Sequence, residues 1–269
     1  MDIMLEKIKQ FSSDQYSNQN RLNARIQIYR YSQNKTGWRE WLFSHLDFTG
    51  VNRVLELGGG NGLLWQVNVN KIPENVQVVL TDISPGMVDA AREKLQQYGD
   101  RFDFQVVDVC RIPYPDNTFQ MAIASHMLYH VEDKDEAFSE INRVLTPGSY
   151  AYATTISSGN WQELYDVIPA FNPKLRLNQI NGTRSFNLEN GEQVLSGYFS
   201  DVQPYIYQNN IVLTSVEPVI YYLASCFSAE QLEILTGNIG KFREYLHDIL
   251  NKTGKIELTN KSVMFKFRK

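Results

Sequence analysis

The sequence predicts an α/β protein built on a doubly wound, mostly parallel sheet with helices on both faces. Three observations lead there. Between residues 51 and 155 short apolar runs alternate with stretches whose apolar residues recur at helical spacing, the rhythm of consecutive strand-helix-strand units. The first run, Val54-Leu55-Glu56-Leu57, passes directly into Gly58-Gly59-Gly60-Asn61-Gly62, where missing Cβ atoms let the backbone turn sharply or lie against a ligand. The polar residues that follow, Asp82, Asp108 and the segment Ser125 to His130, fall at predicted strand ends, where open parallel sheets bind their ligands.

Taken in order, helices are expected over about Met1 to Phe11 and Leu22 to Tyr31, followed by an aromatic-rich stretch from Trp38 to Phe48. Val51 to Leu57 is the first strand, stopped by glycine, and Val76 to Thr81, rich in β-branched residues, is the second. Ser84-Pro85 opens a helix carrying Met87, Ala90, Ala91 and Leu95, with proline in its first turn. Phe102 to Val107 and Phe119 to Ala124 are two further strands. Ala137, Phe138, Ile141 and Val144 place a helix over Glu136 to Val144; Thr146-Pro147-Gly148 stops it, and Tyr150 to Thr155 is the fifth strand. Trp161, Leu164, Tyr165, Ile168 and Phe171 then mark an inserted helix within residues 157–184. Leu188 to Tyr198 is expected as helix, Asp201 to Tyr207 as strand, Glu217 to Cys226 and Ala229 to Leu250 as helices. Lys255 to Phe267 closes the chain as a strand pair or hairpin arm, with Val263, Phe265 and Phe267 alternating.

Composition narrows the function classes. The 269 residues are 43% hydrophobic and 21% charged with a formal charge of -4, ordinary for a globular chain and without general attraction for nucleic acid or anionic membranes. Met1 to Gln10 mixes acids, lysines and apolar residues, and no stretch approaches membrane-spanning length, so a cytoplasmic protein without a membrane span is expected. Cys110 and Cys226 stand far apart without a partner motif; no disulfide framework or metal site is expected.

The glycine turn has two readings. A dinucleotide fingerprint needs a third glycine for helix packing, yet that position is Leu63 counting from Gly58 and Gly60, or Trp65 counting from Gly60 and Gly62. What fits is Glu56-x-Gly58-x-Gly60-x-Gly62. This resembles the first motif of class I S-adenosylmethionine (SAM) dependent methyltransferases, and the resemblance extends in order over residues 51–155, through Asp82, Asp108-Val109, Ile112 to Phe119, and Arg143 to Gly148. It is similar to the branch that includes ubiquinone and menaquinone biosynthesis methyltransferases and small-molecule relatives. Two residues depart from the pattern: Ser149 replaces a second glycine, and Gly59 stands where Cys, Ala or Pro is common, which is expected to leave the turn more flexible.

The resemblance implies a Rossmann-like, seven-stranded sheet whose last strand runs antiparallel beside the fifth, with an N-terminal and an inserted helical cap. It implies SAM as cofactor and no metal. It places Gly58, Gly60 and Gly62 against the cofactor, Asp82 on the ribose hydroxyls with Ile83 beside it, Asp108 on the adenine amine and the Val109 N–H on the ring. Glu56 would lie near the methionine amino group, Met87 over the adenine and Ser125 at the end of the fourth strand. Each has a plainer reading: a tight turn for the glycines, turn or cap carboxylates for Asp82 and Asp108, a turn acceptor for Glu56, and core packing for Met87. His126 and His130 open onto the methyl-transfer face and are the candidate bases, or packing histidines. Tyr16 and Arg25 are the candidates for substrate or cofactor contact; an exposed helix arginine is the alternative for Arg25.

The expected organisation is a single domain: residues 1–48 as cap, 51–155 as cofactor-binding core, 157–184 as inserted lid and 188–269 completing the core. The expected activity is methyl transfer to a small-molecule acceptor by in-line displacement, releasing S-adenosylhomocysteine. A non-catalytic SAM-binding sensor or partner subunit is the alternative, and a nicotinamide enzyme a third, disfavoured by Leu63 and Trp65. No nucleic-acid partner is expected, and a homodimer is left open.

Overall fold

The computed structural model describes Ile8, Arg21, residues 24–177 and residues 184–269. The expected helix at residues 1–11, Ile8 apart, and the candidate Tyr16 lie outside the described residues. The chain divides into two compact units, one of Met1–Lys35, Gly159–Gln179 and Gln208–Asn260, the other of Thr36–Ser158, Ile180–Tyr207 and Lys261–Lys269.

The second unit holds the sheet. Its strands are β1 (Arg53–Leu57), β2 (Gln77–Asp82), β3 (Phe102–Val106), β4 (Phe119–Ser125), β5 (Leu145–Ile156), β6 (Ser200–Gln208) and, skipping two strands of the other unit, β9 (Lys261–Arg268). They lie in the order β3-β2-β1-β4-β5-β9-β6. β1 pairs in parallel with β2 and β4, β2 with β3 and β4 with β5, whereas β9 runs antiparallel to β5. β1 and β4 are apolar on both faces because both faces are covered. Leu55, Leu57, Ala122 and Ala124 face a core with Phe138, Ile141 and Phe265. Val54, Leu80 and Ile123 face another with Leu42, Trp65 and Leu95.

The helices between these strands are α1 (Trp38–Ser44), α2 (Leu63–Asn68), α3 (Pro85–Leu95), α4 (Lys134–Val144) and, after β5, α6 (Gly191–Leu195). α3 starts at proline as expected and buries Val88, Ala91 and Leu95. α4 begins two residues before the predicted start, because the Asp133 carboxylate accepts the Glu136 N–H and caps it. α4 ends at Val144, and Thr146-Pro147-Gly148, expected as its stop, lies inside β5, which begins at Leu145 rather than Tyr150 and shifts register opposite Phe119 to Met121. The stretch from Leu188 to Tyr198 contains only the short α6, since Asn187 and Asn190 close a turn that takes up residues 187–190.

The other unit has α5 (Gln162–Phe171), α7 (Glu217–Cys226), α8 (Ala229–Gly237), α9 (Ile239–Thr253) and the two-stranded sheet of β7 (Ile211–Leu213) with β8 (Ile256–Leu258). Its core gathers Leu164, Ile168, Ile220, Leu223, Phe227, Leu235 and Phe242. The predicted stripe on α5 is therefore core-facing for Leu164 and Ile168. Trp161 precedes the helix with a φ of 63°, stacked on Tyr222 at 5.0 Å. The single helix expected over Ala229 to Leu250 is broken at Asn238, whose ψ of 16° leaves helical geometry. The expected closing hairpin is also divided: β8 pairs with β7, while β9 joins the seven-stranded sheet.

Candidate active site

Strand ends bring the site together. A cavity of about 610 Å³ opens at the carboxyl ends of β1 to β4, lined by Leu57 and Gly58, Asp82 and Ile83, Val107 to Cys110, His126 and Met127, and His130 to Asp133. The groups come from the connections that follow β1, β2, β3 and β4, the last supplying both His126 and Met127 and His130 to Asp133, the arrangement of open α/β sheets at the switch in strand order.

The glycine turn is built by close approach. Gly58, Gly60 and Gly62 have φ of 63°, 55° and 73°, values that side chains resist. A Cβ at Gly58 would fall 2.7 Å from the Met127 Cβ, and one at Gly62 would fall 2.8 Å from the Leu95 Cδ1. Above Gly60 the space is open, with nothing within 4 Å, so a cofactor can lie against that backbone. Gly59 is required by packing: a Cβ there would meet the Glu56 Oε2 at 2.5 Å and Leu80 at 2.9 Å. The expected flexibility at Gly59 is thus replaced by a tight seat. The turn is tied to β2 by the Gly59 N–H donating to the Thr81 carbonyl at 2.8 Å and the Thr81 hydroxyl donating to the Glu56 carbonyl at 2.7 Å.

Asp82 faces both the turn and the cavity. Its Oδ2 accepts the Gly60 N–H at 3.0 Å and its Oδ1 the Ser84 N–H at 2.9 Å, the plainer turn role, while the residue also lines the cavity. Asp108 likewise accepts the Cys110 N–H at 2.9 Å while lining the cavity beside Val109. Arg143 secures the loop that follows, donating to the Ile112 and Tyr114 carbonyls at 2.9 and 2.7 Å and to Asp116 and Glu140. Two carboxylates, an apolar Val109 and Ile83, and an open glycine backbone make a donor and acceptor set that fits the ribose, adenine and amino-acid parts of SAM.

Glu56 does not line the cavity. It is 1% exposed and accepts the Trp65 indole N–H at 2.6 Å; burial, and then Asp82, push its pKa up to about 7 against the pull of that hydrogen bond. Met87 is 47% exposed on α3, and Ser125 lies 3.4 Å from the Thr154 hydroxyl; neither lines the cavity. Arg25 belongs to the other unit, where it is exposed and its Nε donates to the Arg21 carbonyl at 3.4 Å.

The two histidines differ. His126 holds a φ of 53° because its N–H reaches both the Thr154 hydroxyl at 3.0 Å and the Thr154 carbonyl at 3.2 Å. Its ring lies 5.1 Å from Trp38 and 6.5 Å from Tyr129, and this dense surround, with the Arg39 charge, pushes its pKa down to about 4. His130 is exposed at the cavity, its ring 4.4 Å from Tyr129.

Cys110, Met127, Val131, Glu132 and Asp133 line the cavity without having been singled out. Their signal in the sequence was adjacency: each follows or flanks Asp108-Val109 or His126 to His130. Among the described residues there is no group of three or more His, Cys, Asp or Glu placed to hold a metal, and no helix long and apolar enough to cross a membrane.

Residues 55–153 match the family described as a methyltransferase domain. The chain is 36% identical over 115 residues to the ubiquinone/menaquinone biosynthesis C-methyltransferase UbiE of Hydrogenovibrio crunogenus, an overlap of 41% of this chain and 45% of that protein. It is 37% identical over 115 residues to the UbiE of Escherichia coli O1:K1 / APEC, covering 41% and 46%. The chain thus spans less than half the length of these relatives. In fold it is similar to a putative methyltransferase from Bacillus halodurans, with a TM-score of 0.56 at 14% identity over 85% of this chain and 96% of the other. The part of the chain that carries the glycine turn and the strand-end carboxylates, residues 55–153, is thus similar to a methyltransferase domain, and its sequence is similar to that of UbiE.

Proposed function

We propose that the chain transfers a methyl group to a small-molecule acceptor by in-line displacement, with release of S-adenosylhomocysteine. One observation carries this reading: a single cavity gathers Gly58, Asp82, Asp108 and Val109, the set suited to SAM, with His126 and His130 on its next wall. A bound SAM supplies a methyl group on a positively charged sulfur, already a good leaving group. The chain's own task is then alignment and exclusion of water. Asp82 and Asp108 would hold the nucleoside, and the open backbone at Gly60 would carry the amino-acid end. His126, fixed against Trp38 and neutral at pH 7, suits orienting the acceptor better than taking its proton, since a base with a pKa of about 4 accepts protons weakly. His130, exposed at the cavity, is the better candidate where the acceptor must lose a proton.

Thermal unfolding with SAM, and with NAD as control, tests the cofactor. SAM at about 100 times its dissociation constant should stabilise the fold by roughly 2.7 kcal/mol, a rise of about 5 to 10 °C for a chain of this size. Asp82→Ala and Asp108→Ala should each weaken SAM binding about 10- to 100-fold while remaining folded. A shift with NAD alone would reject the reading. Methyl transfer to any acceptor under saturating SAM separates an enzyme from a SAM-binding sensor.

A further inference from the structure

Beneath the glycine turn lies a buried carboxyl group that the proposed transfer does not use. Glu56 accepts the Trp65 N–H at 2.6 Å through the same Oε2 that lies 2.5 Å from where a Gly59 Cβ would be, so the carboxyl group lies directly against the turn. Trp65 is itself wholly buried, with edge-on contacts to Phe43 at 6.1 Å and Phe102 at 6.2 Å that fix its ring. Glu56 therefore has little freedom to move away.

The neighbours of Glu56 are mostly uncharged. Leu80 on β2 and Ile123 on β4 flank it in the sheet, and α2 contributes Trp65. Asp82 at the end of β2 is the charged group that acts on it; Lys94 of α3 reaches the same turn through the Asn61 carbonyl at 3.4 Å. Burial and Asp82 favour the protonated carboxyl, and the Trp65 N–H favours the carboxylate. The two forms are near balance at neutral pH, and a modest added field decides between them.

We propose that Glu56 and Trp65 are positioning residues that couple the cofactor turn to a proton: Trp65 holds the Glu56 carboxyl against Gly59, and Glu56 releases its proton as SAM seats on the turn. This rests on the SAM reading above. The O–H bond of the carboxyl breaks, the proton passes to solvent, and no other bond changes. SAM carries a sulfonium and an ammonium against one carboxylate, so its net positive charge favours the ionised Glu56. Proton release on binding means that affinity rises with pH across neutrality. For a carboxyl that titrates about one unit lower in the complex, affinity at pH 8 exceeds that at pH 6 about fivefold. S-adenosylhomocysteine, lacking the sulfonium charge, should show a smaller dependence.

The test is calorimetric titration of the full chain with SAM between about pH 6 and pH 8, in two buffers of unequal protonation enthalpy, which counts the protons released. The parent should bind about fivefold more tightly at the upper pH and release about half a proton near pH 6.5. Glu56→Gln keeps the shape and the acceptor for the Trp65 N–H, and should bind SAM with a flat pH profile and no proton release. Trp65→Phe keeps the carboxyl but removes its donor, which should move the profile to higher pH and weaken binding at pH 7. Equal affinity of the parent at both ends of the range overturns the proposal, as does Glu56→Gln retaining the parent's profile. Circular dichroism checks each fold; if Trp65→Phe does not fold, Glu56→Gln alone decides. SAM binding with a flat profile would remove only this proposal, whereas no SAM binding at any pH would remove the cofactor reading with it.

Discussion

Gly59 and Glu56 are a single packing decision made at two positions. Because a Cβ at Gly59 would meet Glu56 and Leu80 within 3 Å, Gly59→Ala should lower stability by about 1 to 3 kcal/mol, measured by urea denaturation. Glu56 also sets a pH dependence whose sign follows from its raised pKa. The native state favours the proton, so stability is greatest below about 4.5, the ordinary value, and falls as pH rises toward about 7. Replacing Glu56 by Gln should therefore raise the unfolding free energy at pH 8 by an amount on the order of 3 kcal/mol and leave it nearly unchanged at pH 4, as urea denaturation at the two pH values would show. His126 acts in the other direction. Its pKa is lowered from 6.5 to about 4, so the stability tied to its neutral form is present above 6.5 and lost as pH falls toward 4. The glycines and the carboxylates Asp82 and Asp108 were legible in the sequence because their spacing is tied to the turn and to strand ends. The burial of Glu56 beneath Trp65 was not, because a three-dimensional contact nine residues apart leaves no periodic signal.

At the scale of elements, the loop after β3 depends on α4. Arg143 binds two carbonyls of that loop together with Asp116 and Glu140, and Glu140 in turn accepts the Ile112 N–H at 2.8 Å. Arg143→Ala should cost about 2 kcal/mol and weaken SAM binding several-fold, because the loop begins at Asp108; denaturation and SAM titration on the same variant check both. The five parallel strands were readable as short apolar runs, and β1, β2 and β3 lead into the glycine turn, Asp82 and Asp108. Other elements hid for specific reasons. α2 is six residues long and starts from Gly62 with no capping side chain, so nothing announced it. β7 is a three-residue strand whose partner β8 lies more than forty residues away, and local sequence carries no trace of such pairing. Asn238 breaks a helix whose apolar spacing continues across the break, so the spacing alone read as one helix.

At the scale of the whole molecule, the sheet unit is left and re-entered twice, and its own ends meet at the first exit. The Leu188 N–H donates to the Ile156 carbonyl at 3.1 Å, and the Ser158 N–H to the Glu189 carboxylate at 2.9 Å. At the second exit the Asn209 N–H donates to the Asn260 carbonyl at 2.9 Å, so departure and return run side by side. A chain of residues 36–158, 184–207 and 261–269, joined by short glycine-serine links, should keep the seven-stranded sheet. Far-UV circular dichroism and a cooperative melt would check this; a molten, non-cooperative product would show that the sheet unit has no independent fold. The expected single domain with an insertion is retained here as a proposal, now with residues 208–260 grouped with the N-terminal and inserted segments.

The two exits follow β5 and β6, after the strand pairings that carry Gly58, Asp82 and Asp108 are complete. Descendants of this chain can therefore lengthen, shorten or exchange what is grafted at those exits without disturbing a single register of the parallel strands. Variation in length at the exits and constancy of the strand-end cavity would then be inherited on separate stretches of the gene.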